Sequence, residues 1–71
     1  MNPQEEFGKR IKYYRTQKGF SQEELAFKAG LDRTYIASVE NGKRNVSIQT
    51  IKKFLDALEL TFSEFFNDFE D

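Results

Sequence analysis

Apolar and polar positions recur along this chain with the period of an α-helix, and nowhere with the alternation of a strand. Phe7, Ile11 and Tyr14 stand four and then three residues apart and form the buried stripe of a first helix running to about Lys18. Asn2-Pro3 marks its entry and Gly19-Phe20 its end, with Phe20 expected to pack beneath the next two helices. Ser21-x-x-Glu24 is a capping box that opens a second helix to Ala29, whose apolar face is Leu25, Ala26 and Ala29. Gly30 can take the left-handed backbone that ends a helix, Leu31 is expected to be buried in the turn, and Asp32 to cap a third helix reaching Asn41. Ile36 and Val39 then point back at the second helix. Asn41-Gly42 reads as a helix stop and loop. Ser47 caps a fourth helix to about Glu59 with Ile48, Ile51, Phe54, Leu55 and Leu58 on its apolar face. After Leu60, Thr61 and Glu64 form a second capping box, and Phe62, Phe65, Phe66 and Phe69 make the stripe of a short fifth helix. The pattern predicts an all-α, compact five-helix domain occupying residues 1–71.

Residues 21–41 have the features of a helix-turn-helix. Ala26 falls where two helices would cross, and its small side chain permits a steep, close approach. Gly30, four residues later, permits the sharp turn. The third helix is left with an outward face of Arg33, Thr34, Tyr35, Ala37 and Ser38. A guanidinium, hydroxyls, an aromatic ring and a methyl suit base edges and phosphates. A core hairpin with an ordinary solvated face is the plainer alternative, but it does not require small, turn and apolar positions to fall in register. The adjoining Lys43-Arg44-Asn45 is either a solubilising loop or a phosphate clamp from which Arg44 can reach a groove.

Composition narrows the chemistry. A chain of 71 residues is one domain with a small core, a size that is marginal alone and often completed by a partner. With no Cys there is no disulfide framework or thiolate nucleophile, and with no His a zinc site or His-based acid–base mechanism is not expected. No glycine-rich phosphate loop, metal-ligand spacing or nucleophile–base pair is present, so neither an enzyme nor a cofactor is expected. No run approaches the ~18–20 apolar residues of a membrane span and no signal peptide is evident, which leads to the expectation of a soluble cytoplasmic protein. The net charge of −1 hides an asymmetry: residues 1–45 hold nine Lys/Arg against six Asp/Glu, and residues 46–71 hold two Lys against six Asp/Glu. The basic part contains the helix-turn-helix.

Five of the eight Phe lie after residue 53, more than a domain with a core from four other helices can easily bury. An exposed aromatic patch is a liability unless it is an interface. A symmetric homodimer is therefore expected through residues of about 54–69, with Leu55, Phe62, Phe65, Phe66 and Phe69 as interface residues. The alternative is that the stripe only closes the monomer core. A division between the two has Phe62 and Phe65 closing the core while Phe66 and Phe69 pair across the dimer.

Residues 7–66 resemble the lambda repressor/Cro family of helix-turn-helix domains, the Xre-like group. The resemblance rests on Gly8-Lys-Arg-Ile11, Arg15, Phe20-Ser-Gln-Glu-Glu-Leu-Ala26, Gly30-Leu31, Glu40-Asn-Gly42, Ala57-Leu58 and Ser63-Glu-Phe-Phe66. Leu31-Asp-Arg-Thr-Tyr-Ile36 followed by Glu40-Asn-Gly-Lys-Arg-Asn-Val-Ser47 is similar to the controller proteins of restriction–modification systems. Tyr13 and Phe27, at positions usually polar, and Phe54 and Phe62, where aliphatics are commoner, depart from the family pattern. The resemblance implies a lambda-repressor-like fold and a dimer binding double-stranded DNA at pseudo-palindromic operators near promoters, where RNA polymerase is a further candidate partner. It implies phosphate contact by Gln22, groove contacts by Arg33, Thr34, Tyr35 and Ser38, loop contacts by Lys43, Arg44 and Asn45, and a structural ion pair between Arg15 and Glu40. Arg33 would bond guanine bidentately, and two-fold symmetry would set the paired recognition helices about 34 Å apart, one DNA turn. A phage-type repressor or an antitoxin of the same fold is the second reading. A protein-interaction module without DNA is the third, and Arg33, Lys43 and Arg44 argue against it.

Overall fold

Short-range codes start most of the helices. In the computed structural model, which describes residues 2–69, the elements are α1 (Pro3–Gln17), α2 (Gln22–Ala29), α3 (Arg33–Glu40), α4 (Ile48–Leu58) and α5 (Phe62–Phe65). Asn2, Ser21 and Thr61 each accept a hydrogen bond from the amide three residues on, and Glu5, Glu24 and Glu64 each accept one in return from the cap amide. Ser47 caps α4 through the Thr50 amide. Asp32 does not cap α3 as expected: it occupies the cap position in extended backbone, but its side chain makes no bond to the helix amides. Its carboxylate instead accepts from the Thr34 hydroxyl.

Gly30 closes α2 in left-handed backbone, φ 68°. The Gly30 amide donates to the Phe27 carbonyl and that of Leu31 to Ala26, so two carbonyls of the last turn of α2 are satisfied where the chain reverses. Leu31 is half-buried rather than buried, packed against the edge of the core. The α2–α3 pair leans on α1 through α3 and on α4 through α2. Ile11, Leu25, Ile36, Phe54, Leu58 and Phe65 are wholly excluded from solvent at the centre. At ~1.5–3 kcal/mol per buried side chain of this size, that cluster is the main source of the fold's stability.

The C-terminal part departs from the expected geometry. α5 is a single turn, and Asp68 in left-handed backbone, φ 60°, bends the chain before Phe69. The four Phe therefore do not form one helical stripe. Phe65 packs on Phe7 with ring centroids 5.3 Å apart, Phe66 lies 4.9 Å from Phe65, and Phe69 folds back to 5.0 Å from Phe66. Ile48, expected on the apolar face of α4, is the first residue of that helix and is 73% exposed.

α1 crosses α3 at Gly8. A β-carbon there would stand 2.2 Å from the Val39 carbonyl oxygen and 2.9 Å from that of Glu40, both backbone atoms that cannot rotate aside. Gly8→Ala is expected to force α3 away from α1 and to cost about 1–3 kcal/mol, as overpacking does. Urea unfolding checks this: the midpoint should fall while the slope with denaturant stays constant.

Candidate nucleic-acid interface

α3 turns Ile36 and Val39 into the core and leaves its other side outward. Arg33 and Thr34 are exposed at its N-terminal end, and Tyr35, Ala37 and Ser38 are half-exposed along it. Arg33 has no ion pair among the described residues. The turn after α3 is made by Gly42 in left-handed backbone, φ 74°, and brings Lys43 back so that its amide donates to the Ser38 carbonyl. Lys43 and Arg44 are both exposed. The Arg44 guanidinium lies 5.2 Å from the centre of the Tyr35 ring, and its Nε donates to Ser38 Oγ at 3.4 Å. Loop and helix thus form one polar surface with cations at both ends.

Gln22 and Asn45, both expected contact residues, are engaged by side chains distant in the sequence. Gln22, expected at a phosphate, donates from Nε2 to Glu40 Oε1 at 3.1 Å. Its position at the start of α2 is as expected, but the side chain points to a carboxylate on α3. Asn45 accepts at Oδ1 from the Gln4 side chain on α1. No local pattern encodes that contact, which joins residues 41 apart.

The orientation of α3 is held by a buried charge network. Arg15 donates from Nε and Nη2 to the two carboxylate oxygens of Glu40, at 2.6 and 3.1 Å. Its Nη1 donates to the Phe20 carbonyl at 2.7 Å. With Gln22 as the fourth member, no buried side-chain nitrogen or oxygen among the described residues lacks a partner.

The expected dimer residues divide. Leu55 and Phe65 are 1% and 0% exposed, enclosed by the protomer's own core, and so present no surface to a second copy. Phe62 is 39% exposed and Phe66 and Phe69 are half-buried, so the aromatic surface narrows to these three. Phe27, on α2, is 88% exposed. No helix among the described residues is long and apolar enough to cross a membrane.

These features define a helix-turn-helix domain with an outward recognition helix. The helix-turn-helix family model HTH_3 matches residues 11–65, and the chain belongs to that family, in its lambda-repressor-like, Xre-type form. It is 48% identical over 65 residues to the control protein C.MunI from a Mycoplasma species, covering 90% of this chain and 88% of that one. Its structure is similar to that of the restriction–modification controller protein C.AhdI from Aeromonas hydrophila, with a TM-score of 0.84 and 50% identity over 87% of this chain and 94% of that one. It is also similar to the controller C.Esp1396I solved as a tetramer on its natural 35 base-pair operator, with a TM-score of 0.87 and 36% identity over 93% and 87% of the two chains.

Removing Glu40 leaves the Arg15 guanidinium buried without its counter-ion. Glu40→Ala is expected to cost about 3–5 kcal/mol, a large share of the stability of so small a domain. Adding Arg15→Met should recover part of that loss, because the unpaired charge is gone. A double-mutant cycle by urea unfolding measures the coupling.

Proposed function

We propose that this chain is a transcription regulator of the restriction–modification controller type, binding a two-fold symmetric DNA operator as a homodimer. The observation that carries the reading is the joined surface of α3 and the loop after it, where Arg44 rests on Tyr35 and Ser38 while Arg33 and Lys43 stand free in solvent. α3 would enter the major groove by its N-terminal end. There Arg33 would donate two bonds to guanine O6 and N7, and Thr34 or Tyr35 would meet a thymine methyl or a phosphate. Thr34 is already oriented by its bond to Asp32. Lys43 and Arg44 would neutralise flanking phosphates, with Arg44 able to swing from Tyr35 into the groove edge. The amides at the start of α2 would face the backbone, with Gln22 shared between phosphate and Glu40.

A second copy would meet the surface of Phe62, Phe66 and Phe69. The protomer measures 29 × 23 × 22 Å. Two protomers side by side are of the right size to set equivalent helices about 34 Å apart, one turn of B-DNA. The controllers it resembles support this reading, since C.Esp1396I has been solved on operator DNA of both 35 and 25 base pairs. The reading includes no catalytic step, and the regulator would act in the cytoplasm.

The direct test is selection of bound sequences from random duplex DNA by the purified protein, followed by gel shifts at two salt concentrations. A two-fold symmetric site bound by a dimer is expected. Absence of any enriched sequence, with binding lost at moderate salt, would remove the groove assignments. On the selected site Arg33→Ala should lose about 1–3 kcal/mol of affinity and accept more bases at one position, with a smaller effect on random DNA. Phe66→Glu should shift the protein from dimer to monomer in sedimentation at micromolar concentration and weaken operator binding with it.

A further inference from the structure

Arg10 belongs to none of the contacts that orient α3. It projects from α1 toward the C-terminal segment, where its Nη1 donates to the Phe65 carbonyl at 2.7 Å and also to the Asn67 carbonyl. Its Nε donates to Glu6 Oε2 at 3.3 Å, one helical turn earlier. The guanidinium carbon lies 5.1 Å from the centre of the Phe69 ring. One side chain thus holds two backbone carbonyls and an aromatic face of the last segment, and is itself aimed by a carboxylate.

Beyond its ring packing, that segment has few other polar ties to the rest of the protein. α5 is four residues long, too short to sustain itself, and its final carbonyls have no continuing helix to receive them. Phe65 anchors the helix in the core. Beyond it, the Phe66 amide closes on the Phe62 carbonyl and the Phe69 amide on that of Phe66. Neither bond reaches another element. Arg10 supplies the polar tie between residues 65–69 and α1, beside the ring packing of Phe66 on Phe7.

We infer that Arg10 is a positioning residue for dimerisation, holding Phe66 and Phe69 in the arrangement a second copy meets and thereby setting operator affinity without touching DNA. The inference rests on the dimeric reading proposed for this chain. Its partners are Glu6, Phe65, Asn67 and Phe69, none of them assigned to the groove or the phosphates. Arg10 thus caps a helix 55 residues away in the sequence.

The test compares full-length wild type and Arg10→Met by sedimentation equilibrium, with circular dichroism of the dilute protein as the readout of monomer folding. Binding is measured on the selected two-fold duplex and on one half of it. Met keeps the apolar stem and removes the donors. The dimer dissociation constant should rise roughly tenfold or more, the scale of lost charge-assisted bonds, while half-site affinity stays within about twofold. An unchanged dimer constant, or half-site binding that falls as far as full-site binding, overturns the role. If Arg10→Met does not fold, Arg10→Lys decides: it keeps one charged donor but cannot hold both carbonyls and stack on Phe69, so dimerisation should weaken by roughly threefold, and no weakening overturns the role. A wild type that is monomeric at operator-binding concentrations defeats the dimeric reading itself; a dimeric wild type with unaffected variants defeats only the role of Arg10.

Discussion

The pair formed by Arg15 and Glu40 is the interaction on which the arrangement of the helices depends. The guanidinium stands near the end of α1 and the carboxylate at the last residue of α3, joined by two bonds of 2.6 and 3.1 Å. The third arm of Arg15 ties in the Phe20 carbonyl between α1 and α2, and Glu40 receives Gln22 from the first turn of α2. Four segments meet at one charge pair. Such a pair adds little net stability, because stripping water from both ions offsets their attraction. Its value is geometric. A planar fork satisfies two carboxylate oxygens over a narrow range of angles, so one crossing of α1 and α3 is favoured over its neighbours. Gly8 acts at the same crossing by the absence of a side chain, letting the carbonyls of Val39 and Glu40 rest on the α1 backbone.

α1 serves both ends of the molecule. Gly8 and Arg15 face the recognition helix, while Phe7 and Arg10 face the C-terminal aromatic segment. The two contact sets share one continuous helix of 15 residues. A rigid rod carrying both fixes the offset between the surface proposed to read DNA and the surface proposed to meet a second copy. Half-site spacing on DNA is a geometric quantity, so this rigidity matters more than the strength of any single contact. The Gln4–Asn45 bond extends the same logic, tying the loop after α3 to the start of α1.

Features encoded within three or four residues were legible in the sequence. The boxes at Ser21 and Thr61, the stop at Gly30 and the helix-turn-helix itself are local agreements of capping, turn and apolar spacing. The family resemblance added the Arg15–Glu40 pair, which spacing alone does not encode. What stayed hidden depends on packing or on backbone that its residue type does not announce. Glu59 ends α4 in left-handed backbone, φ 59°, where glycine is the usual signal, and Asp68 turns the chain likewise. Asp32 looks like a cap, yet its carboxylate binds Thr34. Gln22 and Asn45 look like phosphate ligands, yet both find partners on other helices. Apolar spacing also cannot separate a core position from an oligomer face, which is why Ile48 and Leu55 read alike but lie on opposite sides of the surface.

The limited size of the aromatic surface bears on how a regulator of this kind would respond to its own concentration. Phe65 has gone into the protomer, leaving Phe62 partly exposed and Phe66 and Phe69 half-covered. Under the dimeric reading, the aromatic area these rings offer a second copy is what the protomer itself leaves uncovered. While most of the protein is monomeric, the dimer concentration rises with the square of the total. Operator occupancy then climbs more steeply with protein level than a preformed dimer would allow. Under that reading, a core that absorbs Phe65 and leaves the other rings partly exposed folds the monomer and at the same time sets the aromatic area open to a second copy.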